Sequence, residues 1–256
     1  MNPNKTLERF APLILLAVFL LLWQATVMLF KVPEFIFPSP AQIASEFVAF
    51  KGPLIEAAWK TFWVTMLGFA LSIVVGVMLG FLVGSSRMAY AALYPLLVAF
   101  NAVPKAAVVP ILVVWFGIGL GPGVLTAFLI SFFPITVNIA TGLATLEPEL
   151  EDVLRVLGAK RWDVLVKVGL PRSMPYFYGS LKIAITLAFV GTVLAEMTAG
   201  DSGIGYLMQS AGSQQRMPLA FAGLVTIGVM AMAMYELFSW IERRTTGWAH
   251  RGSQAS

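Results

Sequence analysis

The chain has 256 residues, 59% of them hydrophobic and only 12% charged, with a mean hydropathy of +0.84. Soluble domains carry roughly 25% charged residues, so this composition excludes a soluble globular protein and indicates an integral membrane protein. The net charge of +4 fits basic residues flanking apolar spans better than nucleic-acid binding, and the absence of cysteine excludes disulfides, thiol chemistry and cysteine metal sites.

A bilayer core about 30 Å thick needs roughly 20 apolar residues per helix. The first such run, residues 10–30, follows Lys5 and Arg9 and contains one strongly polar side chain, Gln24. It exceeds the roughly 7–15 residues of a signal-peptide core, so it is expected to stay as a transmembrane helix. After it, Pro38-Ser39-Pro40 precedes Ala41-Gln42-Ile43. Ser39 as N-cap, Pro40 at the first helical position and Gln42 three residues beyond the cap predict a short interfacial helix reaching about Phe50.

The second span is expected at 62–84, where Gly68, Ser72, Gly76, Gly80 and Gly84 recur every fourth residue. Small residues at this spacing let another helix approach closely, and packing inside the subunit is favoured over a pore lining or a dimer seam. A third span at 91–116 is expected to be broken between Asn101 and Pro110, because Pro104 and Pro110 both remove backbone donors. The glycine-rich stretch from Gly117 to Gly123 separates it from a fourth span at 124–146. Spans at 178–197 and 218–240 complete six, giving an all-α membrane protein with one transmembrane domain over 1–256. Of the 17 Lys and Arg residues, only Lys31, Lys51, Lys60 and Arg216 fall on the outer side when the N-terminus is inside. The positive-inside rule therefore predicts cytoplasmic termini.

The long polar interruption at 147–172 falls on the cytoplasmic side in this arrangement. Glu147, Glu149, Glu151 and Asp152 load the start of a helix where its dipole favours negative charge, and Arg155 lies one turn beyond Glu151. Val153, Leu154 and Leu157 share one face. Gly158 can close this helix in a left-handed conformation, and a second short helix from Arg161 to Val168 is expected to stop before Pro171. Glu196 is expected at an interface beside the turn that follows it, and Glu236 near Arg243 and Arg244. His250, in the polar tail, reads as a solvated residue.

Asp152-Val153-Leu154, then Gly158 after three residues, then Val168-Gly169-Leu170-Pro171 after nine more, resembles the coupling loop of binding-protein-dependent ABC importer permeases. In that family the pattern is E-A-A, three residues, G, nine residues, I-x-L-P. The first triplet and Val168 depart from it. Pro38-Ser39-Pro40, Trp115-Phe116-Gly117-Ile118-Gly119, Phe132-Phe133-Pro134-Ile135 and Glu196 followed by Gly203-Ile204-Gly205-Tyr206 are similar to the nitrate, sulfonate and taurine branch. The resemblance implies a type I importer permease of the plasma or inner membrane. It also implies a second permease copy, expected to form a homodimer, two cytoplasmic ATPase subunits and an extracytoplasmic binding protein. Its coupling contacts would fall on Asp152, Val153, Leu154, Leu157, Gly158, Ala159, Val168, Leu170 and Pro171.

The chain contains no G-x-x-x-x-G-K-[S/T] phosphate loop, so ATP is expected to be bound and hydrolysed by the partner subunit and no cofactor or metal by this chain. Neither catalytic nor substrate-binding residues stand out. An ion- or proton-coupled carrier is the alternative, and it would need coupling charges near the midplane and often an internal repeat. A membrane-embedded enzyme lacks a His, Cys or paired-acid constellation, and a scaffold leaves the loop unexplained.

Overall fold

The computed structural model describes residues 3–144, 156, 158, 167 and 169–246. The two short helices expected in the loop, with Asp152, Val153, Leu154, Leu157, Ala159 and Val168, lie outside the described residues. The regular structure is helical: α1 (Pro3–Leu29), α2 (Pro40–Ala49), α3 (Lys51–Gly84), α4 (Arg87–Ala102), α5 (Lys105–Phe116), α6 (Leu120–Ala144), α7 (Leu170–Ala199), α8 (Gly203–Ser213) and α9 (Met217–Thr245). Five of these are long and apolar enough to cross a membrane, or six spans result if α4 and α5 together form one.

The short helix α2 begins as its cap residues dictate. The Ser39 hydroxyl accepts from the Gln42 amide at 3.4 Å, and the Gln42 side chain accepts from the Ser39 amide at 2.8 Å. A third orphan donor of this helix end, the Ala41 amide, reaches the Gln24 side chain of α1 at 3.1 Å. Phe50 then closes α2 and opens α3, so one residue makes the corner. α3 thus starts eleven residues before the expected span at 62–84. Hydropathy marks the membrane-embedded part, whereas the helix continues through the polar turn where Glu56 and Lys60 pair at 3.0 Å.

The glycine stripe of α3 lies against α6. A Cβ at Gly68 would come within 2.6 Å of Ala127 Cβ and 2.7 Å of the Val124 carbonyl, and Gly76, Gly80 and Gly84 meet Ile135, Ile139 and Leu143 in the same way. At the remaining stripe position the Ser72 hydroxyl lies 2.6 Å from that of Ser131. α7 packs against both helices, with Gly191 on the Thr126 and Ala127 backbone of α6, beside the point where Gly68 of α3 meets Ala127. Phe69, Ile135, Ile139, Leu143, Leu181, Ile185 and Phe189 form the central core of this three-helix unit. A second apolar cluster joins Ile43, Leu54, Ala211, Leu219 and Ala222 from α2, α3, α8 and α9. α1 stands apart, touching the rest mainly where Trp23 stacks on Phe37 at 5.2 Å.

The break in the third span falls at Val103-Pro104, where α4 and α5 meet at 82°. Val103 is extended (ψ 127), the conformation proline imposes on the residue before it. Pro110 sits inside α5 without ending it. At its far end α5 stops at Gly117 (φ 76), and Gly119 (φ 122) turns the chain into α6, conformations that favour glycine.

Two expectations need correction. The fifth span starts earlier than 178: α7 begins at Leu170, eight residues before it, with Pro171 in its first turn. A first-turn proline gives up an amide that has no intrahelical partner anyway. The segment after Glu196 is not only a turn, because Gly203–Ser213 forms α8, too short and too mixed in composition for a span-length hydropathy reading to reveal.

The tight seam makes a measurable distinction. Gly68→Ala should overpack α3 against α6 and cost about 1–3 kcal/mol, whereas Gly228→Ala, on an open face of α9 with nothing within 4 Å, should not destabilise. Thermal unfolding of the two purified variants in one detergent checks this, and equal melting temperatures would contradict the seam.

Candidate functional site

Of the expected coupling residues, Gly158, Leu170 and Pro171 lie among the described backbone. Gly158 has φ +85, the left-handed conformation expected of it, and is exposed, with no atom within 4 Å of where a Cβ would stand. Val156, two residues earlier, is 88% exposed. Pro171 is exposed at the start of α7.

A second cluster was not assembled by sequence reasoning. α3 contributes Thr61 and Thr65, and α7 contributes Thr192 and Glu196, each pair four residues apart and so on one helix face. The two faces meet. Thr65 Oγ1 donates to Thr192 Oγ1 at 2.9 Å, and Thr61 Oγ1 donates to the Glu196 carboxylate, 2.9 Å from both oxygens. The turn expected after Glu196 is present, but the carboxylate is folded beneath it and is only 8% exposed.

What occupies the carboxylate is the start of α8. Ser202, the N-cap residue, makes no side-chain cap bond. Instead the Gly205 amide donates to Glu196 Oε2 at 2.9 Å, and the Ile204 amide donates to Thr61 Oγ1 at 2.8 Å. Side chains of α3 and α7 thus satisfy two orphan amides of α8, and the buried carboxyl receives donors that offset its desolvation. The glycines follow from this contact. Gly203 has φ +92, and a Cβ there would overlap the Glu196 carboxyl group; a Cβ at Gly205 would lie 2.5 Å from the Val193 carbonyl. Glu196 also borders a cavity of about 360 Å³ with Trp59, Lys60, Trp63, Asp201 and Ser202.

The remaining charges are mostly paired. Glu236 lies 3.6 Å from Arg243, both exposed, close to the arrangement expected. Glu242 of α9 and Lys182 of α7 form a largely buried pair at 2.7 Å, and Arg216 pairs with Glu46 of α2 at 2.9 Å while its guanidinium lies 4.2 Å above the Phe50 ring. Among the described residues no His, Cys, Asp or Glu group could hold a metal ion.

The Glu196 cluster predicts a graded series. Glu196→Ala strands the Gly205 amide, and each buried donor left unsatisfied costs about 1–3 kcal/mol. Gly203→Ala should be comparably harmful, Thr61→Ser nearly neutral and Thr61→Val destabilising, as read by thermal unfolding. If Thr61→Val unfolded no earlier than Thr61→Ser, the hydroxyl would not be holding α8.

The family of binding-protein-dependent transport system inner membrane components matches residues 72–247. The riboflavin transport system permease protein RibX of Chloroflexus aurantiacus is 35% identical over 91% of this chain and 88% of its own length. A probable ABC transporter permease protein of Haemophilus influenzae is 31% identical over 91% of this chain and 95% of its own. Among solved structures, an inward-facing form of the MetNI methionine ABC transporter contains a chain similar in fold, with TM-score 0.68 and 19% identity, covering 77% of this chain and 98% of that one.

Proposed function

Because the chain belongs to the family of binding-protein-dependent transport system inner membrane components, we propose that it forms half of the translocation pathway for a small solute handed over by an extracytoplasmic binding protein. The family match carries this reading, since it runs from the middle of the α3 seam across α4 to α9. We assign the other half to a second copy of the chain and ATP hydrolysis to two cytoplasmic ATPase subunits. ATP closes those subunits, the docked loops move with them, and the bundle alternates between outward and inward openings. The solute is of the nitrate, sulfonate or taurine type or a vitamin precursor, and one relative is named for transport of a vitamin, riboflavin. Uptake should therefore need the ATPase subunit and persist when ion gradients are collapsed at constant ATP. Loss of uptake with the gradient alone would favour the carrier alternative.

Gly158 is the pivot of the proposed coupling element, supported by its place in the loop motif and its φ of +85. A Cβ at Gly158 meets no neighbour, so Gly158→Val acts through the backbone, where a β-branched residue is strongly disfavoured at positive φ. A well-packed docking contact contributes on the order of 2 kcal/mol, more than tenfold in affinity. Gly158→Val should insert normally yet lose ATPase co-purification and uptake; wild-type values for both would remove Gly158 from coupling.

The proposed topology puts both termini and Lys160 in the cytoplasm and Lys51 and Ser213 outside. The chain is free of cysteine, so single cysteines report without background. In intact cells an impermeant thiol reagent should label Ser213→Cys and spare Lys160→Cys. The reverse pattern would invert the topology.

A further inference from the structure

Counting about 20 residues back from Gly84, the length of α3 that a bilayer core needs, puts the edge of the hydrocarbon near Thr65. Lys60 and Trp63 lie within two turns of that edge, toward α2, and are therefore at headgroup depth, where tryptophan collects. The cavity of about 360 Å³ that Glu196 borders is at this level. α3, the turn from α5 into α6, the end of α7 and the start of α8 enclose it.

Trp59 and Trp63 line it together, their rings 5.5 Å apart and perpendicular (88°), and Phe62 stacks on Trp59 at 5.9 Å. Indole rings set this way form the kind of aromatic cage that holds alkylammonium groups, which are drawn to the negative ring faces. The charges agree. Glu196 is committed to α8 through Thr61 and Gly205, but Asp201, which also lines the cavity, accepts only from the neighbouring Ser202 hydroxyl at 2.9 Å. Among the described residues no cation pairs with Asp201. Lys60, on the same cavity, pairs with Glu56, and such exposed pairs hold weakly, so its ammonium is free to turn to another anion. Beyond Trp63 the same face of α3 presents exposed Leu67, Leu71, Val74 and Met78, an apolar track that runs from the cavity into the hydrocarbon.

We propose that this cavity binds the headgroup of a phospholipid bearing an ammonium, ethanolamine or choline in kind. The ammonium sits against Trp59, Trp63 and the Asp201 carboxylate, the phosphate pairs with Lys60, and an acyl chain follows the track from Leu67 to Met78. A water-soluble zwitterion would meet the same polar groups but leave the track unused, which favours the lipid. The headgroup touches α3, α6, α7 and the start of α8 at once, so it fills the junction as a structural lipid and is not the transported solute. The inference stands apart from the importer reading, because the cavity and its charges belong to the single chain.

The test uses the full chain, purified in a maltoside detergent and stripped of lipid, titrated with dioleoylphosphatidylethanolamine or with dioleoylphosphatidylglycerol, which has the same chains and no ammonium. Native mass spectrometry counts the lipids retained per chain. The ethanolamine lipid should bind saturably, one per chain, at a half-saturating concentration about fivefold or more below that of the glycerol lipid. Asp201→Asn should erase this preference. Trp63→Leu should weaken binding of the ethanolamine lipid while Trp63→Phe, which keeps a ring, retains most of it. Thermal unfolding of the lipid-free variants identifies any that fails to fold, and the other substitution then decides. Equal affinity for the two lipids, or a preference that survives in a folded Asp201→Asn or Trp63→Leu variant, overturns the proposal. Glycerophosphoethanolamine, the headgroup without acyl chains, should compete poorly; competition as strong as that of the whole lipid assigns the cavity to a water-soluble zwitterion and overturns the lipid.

Discussion

The close approach of α3 to α6 is the constraint on which the other helices depend. Apolar side chains gain little from helix association in lipid, because the tails they leave are equally apolar. Van der Waals contact and interhelical hydrogen bonds supply the attraction instead. The stripe from Gly68 to Gly84 lets the Ile135, Ile139 and Leu143 side chains press on the α3 backbone, and Ser72 with Ser131 adds a polar contact within it. α7 then packs into the same junction, with Gly191 on the α6 backbone at Thr126 and Ala127. α4, α5, α8 and α9 attach directly to this three-helix unit, and α1 stays outside it.

The same economy explains how α8 is held. Eleven residues, three of them glycine, have weak helix-forming tendency on their own. The helix persists because Thr61 and Glu196 supply hydrogen-bond partners for its first turn and Ala211 joins the apolar cluster with Leu54 and Leu219. Nearer the middle of α7, the Lys182–Glu242 pair ties it to α9. α7 is therefore fastened to its neighbours at its end and again about halfway along.

Features encoded within a few residues were legible in the sequence. The Ser39–Gln42 capping box, the four-residue glycine period and the Pro104 break each depend on local chemistry, and each takes the expected form. Glu196 and Thr61 are 135 residues apart, and Lys182 and Glu242 are 60 apart. Nothing in either local stretch names its partner. Glu196 read as an interfacial acid because hydropathy records where a span ends and not what folds over its end. One retrospective signal existed: glycines seven and nine residues after an acid mark backbone that must pass close to its side chain. Lys105 falls inside the third span as expected at 91–116, beside the break that was foreseen, yet it was counted among the inner-side charges.

At 34 residues and 1.5 Å per residue, α3 is about 51 Å long, against a hydrocarbon core of about 30 Å. The difference emerges at the α2 end as a rigid helical prong, carrying the exposed Glu56–Lys60 pair and joined to α2 by the single-residue corner at Phe50. Arg216, resting on the Phe50 ring and paired with Glu46, braces that corner against the start of α9. The protein therefore meets the water on this side with stiff, cross-braced geometry instead of slack loops. A soluble partner alighting there would push on levers continuous with the α3–α6 seam, and pressure at the surface would become tilt in the middle of the membrane.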